Sequence, residues 1–127
     1  MATIQQAMYE SLGGFAGISA LVGARVYPDI APQDVARPFV VWQEINTEQM
    51  NSLAGSVESG GLTNYLIEAT CWAATGAGAR NLDAQVRAAM IAATQFKSVL
   101  SDGQSLGFDP DTKLYGYQSD FSVWLRS

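Results

Sequence analysis

The sequence predicts an α+β fold, a two-layer sandwich in which helices pack on one face of a small antiparallel or mixed four-stranded sheet. Three observations predict it. Apolar residues recur with helical period near the N-terminus and again mid-chain, and with period two between those stretches and at the end. The chain has too few crossover helices for a doubly wound parallel sheet. Its 127 residues, 48% of them apolar, supply a core for one domain, taken as residues 1–127.

The first element is a helix. Thr3-Ile4-Gln5-Gln6 has capping-box spacing, with the Thr3 hydroxyl open to one free N–H and Gln6 placed to reach back to another. Ile4, Met8 and Leu12 follow on one face with Ala7 and Ser11, and Gly13-Gly14 stops the run. A very short second helix over 18–22 ends at Gly23. Residues 25–38 hold Pro28, Pro32 and Pro38 and read as an irregular connection, because each proline restricts its own φ and the residue before it.

After Pro38 the period becomes two. The β-branched and aromatic run 39–45 is the first strand and 63–73 the second, with Tyr65, Ile67, Ala69, Cys71 and Ala73 on one face. Between them, residues 46–61 form a long Ser-, Gly- and Asn-rich hairpin loop. Thr75 caps a helix running to about Phe96, with Ala79, Leu82, Val86, Ala89, Met90 and Ala93 inward and Arg80, Asp83 and Arg87 in water. A weak strand follows around Val99-Leu100 and 106–108. In the last strand Tyr115, Tyr117, Phe121, Val123 and Leu125 alternate with Gln118, Asp120, Ser122 and Arg126.

Composition removes whole classes of function. Seven Lys+Arg against twelve Asp+Glu give a net charge of −5, with no basic cluster to neutralise phosphates, so sequence-specific nucleic-acid binding is not expected. There is no histidine, hence no Ser-His or Cys-His nucleophile and no imidazole ligand or base. The single cysteine, Cys71, excludes an intrachain disulfide and a multi-cysteine zinc site, and its apolar neighbours mark it as a core residue. No charge-free stretch is long and apolar enough to span a bilayer, and the first basic residue is Arg25, so neither a membrane association nor a secretory signal is expected.

Three motif fragments lead nowhere. Residues 75–81 follow a strand and open a helix as a dinucleotide loop does, but Asn81 stands in place of the third glycine. Asp109-Pro110-Asp111-Thr112 lacks the ligand series of a calcium loop and is ordinary turn chemistry. Glu44 and Glu68 are read as two solvated strand residues rather than an acid–base pair. No enzyme activity, cofactor or metal is expected.

Two features remain as candidate interaction surfaces. The loop 46–61 carries Met50, Asn51, Leu53 and Val57, and its apolar residues are wasted in a tip that touches only water. Trp42, Trp72 and Trp124 lie on the more polar parity of three strands, opposite the rows expected to meet the helices; exposed indoles there make a binding face, and the alternative is that the N-terminal helix or a neighbouring segment covers it, since parity does not say what lies above the sheet.

The layout as a whole resembles the tail completion proteins of long-tailed bacteriophages, also called tail terminators or head–tail joining proteins. The residues that carry the resemblance are Gly17-Ile18-Ser19-Ala20-Leu21-Val22-Gly23-Ala24-Arg25-Val26-Tyr27-Pro28, Ala31-Pro32-Gln33, Pro38-Phe39-Val40-Val41-Trp42, Glu68-Ala69-Thr70-Cys71-Trp72-Ala73, Ala77-Gly78-Ala79-Arg80, and 114–124 with its Phe-Ser-Val-Trp ending. The resemblance implies a non-enzymatic virion protein, made in the cytoplasm of the bacterial host and placed at the head–tail interface. It implies self-assembly as a homohexameric ring on the head-proximal end of the tail tube, with the tail tube protein and the head completion or connector protein as partners and DNA passing through the lumen. A competing class is a small-molecule-binding or regulatory α+β module of ferredoxin-like type, which requires convergent polar groups in a concave site.

Overall fold

A computed structural model describes residues 3–32, 35–50 and 62–126, and no side chain is considered at 46, 48–50, 62 or 126. Helix α1 spans Ile4–Gly13, with Thr3 Oγ1 accepting from the Gln6 N–H at 3.1 Å as the capping spacing predicts. The Gln6 side chain does not return to Thr3. It donates instead to Glu10 Oε1 one turn on, at 3.4 Å. Helix α2 is Ala16–Val22, and Gly23 ends it at φ 61°, a conformation that suits glycine.

The segment expected to be irregular contains a strand. β1, Val26–Pro28, pairs in parallel with β2, Phe39–Met50, so the sheet has five strands and is mixed rather than four-stranded. Three residues ending in proline carry no readable alternation, which is why periodicity misses them. Arg25 holds the return of the chain by donating from Nε to the Pro38 carbonyl at 2.9 Å.

β2 and β3, Leu62–Ala73, form a long antiparallel hairpin. The first strand therefore continues through Met50 instead of stopping at 45, and residues 46–50 belong to the ladder, not to the loop. A bulge at Ile45 lets the strand continue: Glu44 faces Ile67 and Asn46 faces Leu66, leaving Ile45 unpaired. The remainder of the expected loop, 51–61, with Asn51, Leu53 and Val57, lies outside the described residues.

α3, Gly76–Ala92, starts at Thr75, whose hydroxyl accepts from the Gly78 N–H at 2.9 Å. It ends four residues before the expected Phe96, where Ala93 turns extended. Ser98 then donates to the Met90 carbonyl at 2.9 Å, satisfying one of the groups a helix end leaves open. The weak strand is one continuous element, β4, Lys97–Asp109, broken by bulges between Leu100 and Asp102 and between Ser105 and Gly107. Residues 110–113 make the tight turn into β5, Leu114–Arg126, with Asp109 Oδ1 accepting from the Asp111 N–H.

The sheet order is β1-β2-β3-β5-β4. All three helices lie on one face, over Val40, Ile67, Ala69, Cys71, Phe121 and Val123, and meet them through Met8, Leu12, Ile18, Leu82, Val86 and Met90. Fully burying such side chains contributes roughly 1.5–3 kcal/mol each, and this single cluster is what fixes the two layers together.

Candidate interaction surfaces

Cross-strand register sorts every strand residue onto the helix face or the open face. Trp42 sits opposite Ala69, and Ala69 lies between Ile67 and Cys71 in the buried row. Trp42 is therefore a core residue, 5% exposed beside Pro28, and the expectation that it faces outward is overturned. The reason is that both parities of β2 are apolar. Val40 and Trp42 take one face, Phe39 and Val41 the other, and only pairing decides between them.

Trp72 and Trp124 do lie on the open face. Trp72 pairs with Gly116 and Trp124 with Asn64 on the side opposite the helices. The Trp72 ring crosses directly over Gly116, so that a Cβ added there would come within 2.7 Å of Cζ3. Glycine at 116 is what lets the indole lie flat on the sheet. Around it the open face carries Phe39, Val41 and Tyr27, the last two on adjacent strands and Tyr27 in edge contact with Phe39 at 6.5 Å between ring centroids. These three were missed by sequence reasoning, although the Phe39-x-Val41 parity was the signal for them.

Residues 29–32, 35 and 37 and the turn residues Asp109, Asp111 and Thr112 line a groove of about 720 Å³ over this aromatic end. Ile30, Pro32 and Val35 form one wall above Val41, Thr70 and Trp72. In the middle of the face the chemistry changes to acid. Glu68, Asp120 and Asp102 stand side by side on β3, β5 and β4, an arrangement of like charges that does not stabilise the sheet. Glu68 accepts from Gln43 Nε2 at 3.1 Å, whereas one buried oxygen of Asp120 has no partner among the described residues. Farther along, Asn64 donates to Ser122 Oγ at 2.8 Å beside Trp124.

Glu44 and Glu68 are on opposite faces, since Glu44 pairs with Ile67 and Glu68 with Gln43, so they cannot act together. No grouping of metal-ligating side chains occurs among the described residues. Cys71 is buried, and burial together with the nearby Asp83 carboxylate pushes its thiol well above the ordinary range, against the smaller pull of Arg87. It is not a nucleophile at neutral pH.

The helix layer holds one polar cluster that the sequence reading placed in water. Asp83 is 3% exposed. Its Oδ2 pairs with Arg87 Nε at 2.7 Å and its Oδ1 accepts from Ser119 Oγ at 2.5 Å. The Arg87 guanidinium spans from Asp83 to the Tyr117 ring, 5.6 Å from its centroid, and fills the space that a side chain at Gly103 would need. The signal was present: Asp83 follows Ala79 by four and precedes Arg87 by four, inside the apolar stripe. This cluster positions α3 on the sheet.

Comparison with known proteins agrees with this architecture. The family model for Tail completion protein gp17 matches residues 6–126. A chain in a solved structure described as the virion of a native gene transfer agent particle is similar in fold, with a TM-score of 0.71 and 21% identity over 98% of this chain and 95% of that one. No curated protein matches the sequence.

Proposed function

We propose, starting from the fact that this chain belongs to the tail completion protein gp17 family, that it caps the head-proximal end of a tail tube. A structural tail protein of a phage-like virion is what the family establishes; the ring, its position and its partners are our reading. In that reading six copies close into a ring, stop tube growth and present the surface on which the head completion or connector protein docks.

The observation that carries this reading is the extent of the family match, 6–126, which takes in both layers of the sandwich. The likeness in fold to a chain of a gene transfer agent virion supports it. So does the distribution of surfaces. A ring built by rotation needs two different contact patches on each subunit; we assign one to the open sheet face with Trp72 and Trp124 and the other to the connection between β2 and β3, whose sequence carries Asn51, Leu53 and Val57. A net charge of −5 suits a channel through which DNA passes without being held, because phosphate affinity comes from basic side chains. Against the regulatory-module alternative, Gln43 and Glu68 in the groove satisfy each other, which takes two of its polar groups away from a ligand.

Deleting the gene for this protein tests the reading. Electron microscopy should show unjoined heads and tail tubes of uncontrolled length. Normal-length tails that join heads in the deletion would overturn it.

A further inference from the structure

The groove over the aromatic end of the open face is unbalanced in charge. Asp29, Glu68, Asp109 and Asp111 line it against Arg37 alone, and no ion pair joins any of these five among the described residues. Carboxylates gathered around one cleft repel one another unless a further cation comes among them. The Trp72 indole, laid over Gly116, lines the same cleft. An aromatic ring with carboxylates around it suits a guanidinium, which is planar, stacks on an indole and forks onto a carboxylate. A lysine ammonium, a strongly hydrated point charge, suits it less.

The chain carries such a group, free, on its other side. Of the arginines outside the groove whose side chains are described, Arg25 donates to the Pro38 carbonyl and Arg87 is held by Asp83. Arg80 is exposed on α3 and makes no hydrogen bond or ion pair among the described residues. Its helix belongs to the layer on the opposite face of the sheet from the groove. Within the groove Asp111 is the matching carboxylate. Glu68 already accepts from Gln43 and Asp109 accepts from the Asp111 N–H, whereas the Asp111 carboxylate is exposed and has no partner among the described residues.

We propose that Arg80 of one copy enters the groove of the next, where it stacks on Trp72 and pairs with Asp111. The occupant is a second copy because the charges are complementary: the groove has carboxylates in excess, and Arg80 has none in its own copy. Helix layer against open face is a contact between unlike patches, which repeats by rotation and closes into a ring. The proposal rests on the ring reading above, which places a neighbouring copy on the open face, and names the pair that holds it there.

Charge exchange tests it. Arg80→Glu and Asp111→Arg are added to tail tubes singly, in equal mixture, and combined in one chain, beside wild type. Both positions are exposed, so circular dichroism of each variant should stay native. Each single variant should cap tubes about tenfold less well, because like charges then meet at every contact. The mixture should recover capping, since in a ring of alternating copies every contact again joins opposite charges. A mixture that stays defective overturns the proposal, and recovery confined to the doubly changed chain would mean that Arg80 and Asp111 act within one copy. A defect in only one of the single variants would mean that the two do not meet, and full capping by both would mean that neither matters; each overturns the proposal and leaves the ring reading intact. Tubes left uncapped by wild type would remove the ring reading and the proposal with it. If a charge reversal unfolds the monomer, Arg80→Gln and Asp111→Asn replace the pair. Combined, they should weaken capping no more than either alone, and additive losses would overturn the contact.

Discussion

Ser119 Oγ on β5 donates to Asp83 Oδ1 on α3 at 2.5 Å, beneath the helix layer, while Arg87 closes on the other carboxylate oxygen at 2.7 Å. This is how α3 is registered over the sheet. Apolar packing alone would let the helix slide, whereas a hydrogen-bonded buried carboxylate has one satisfactory position. Asp83→Ala is expected to lower stability by about 3 kcal/mol, since a buried charge-assisted bond is lost and Arg87 is left without its partner. Urea denaturation measures this, and a loss under 1 kcal/mol (on the order of a surface substitution) would mean that the cluster is solvated.

The same carboxylate gives a pH dependence of uncommon sign. Burial raises the Asp83 pKa, and the bonds from Ser119 and Arg87 offset that only in part. Folded Asp83 therefore keeps its proton at pH values where the unfolded carboxyl has lost it. Its contribution is complete below the unfolded pKa and is lost as pH rises through the folded one. Wild type should accordingly gain stability relative to Asp83→Asn as pH falls from about 7 to about 4, near the ordinary carboxyl value. Denaturation curves of the two proteins across that range decide it; the opposite trend would place the ion pair above burial.

Three aromatic truncations separate core from surface. Phe121 and Trp42 lie in the buried cluster, and Phe121→Ala and Trp42→Ala should each cost about 3–5 kcal/mol in the monomer. Trp124, on the open face and only half-buried, should cost less when changed to Ala and should weaken tail completion more. Equal monomer losses at 42 and 124 would remove Trp124 from the interaction surface.

The sequence between β2 and β3 provides a fourth test. Replacing residues 51–61 with Asn-Gly joins β2 and β3 through a two-residue turn suited to their antiparallel pairing. The product should fold with native stability and fail to complete tails, because Leu53 and Val57 are then gone. Full completion by the shortened protein would reduce 51–61 to a tolerated insertion.

Much of this fold is local and was legible in the sequence. The Thr3 and Thr75 caps, the stops at Gly13-Gly14 and Gly23, the Tyr65–Ala73 alternation and the 110–113 turn each follow from residues a few positions apart. Family resemblance was legible too, because it depends on the order of such segments along the chain.

What the sequence could not decide depends on pairing between distant segments. Val40-Val41-Trp42 is apolar on both parities, so the side that Trp42 faces was settled only when Ala69 came opposite it. β1 exists because Arg25 and β2 hold three residues extended; Val26 and Tyr27 suit a strand, but a run that ends at Pro28 after two residues is too short to read as one. β4 has bulges and polar residues that erase its alternation, and it is a strand because β5 gives it a partner along its length. Asp83 reads as a solvated helix residue until Ser119, 36 positions away, supplies the bond that lets it be buried. Local preference is set by neighbours in the chain and can be read from them; face, register and burial are set by what packs across, and only the tertiary structure brings those partners together.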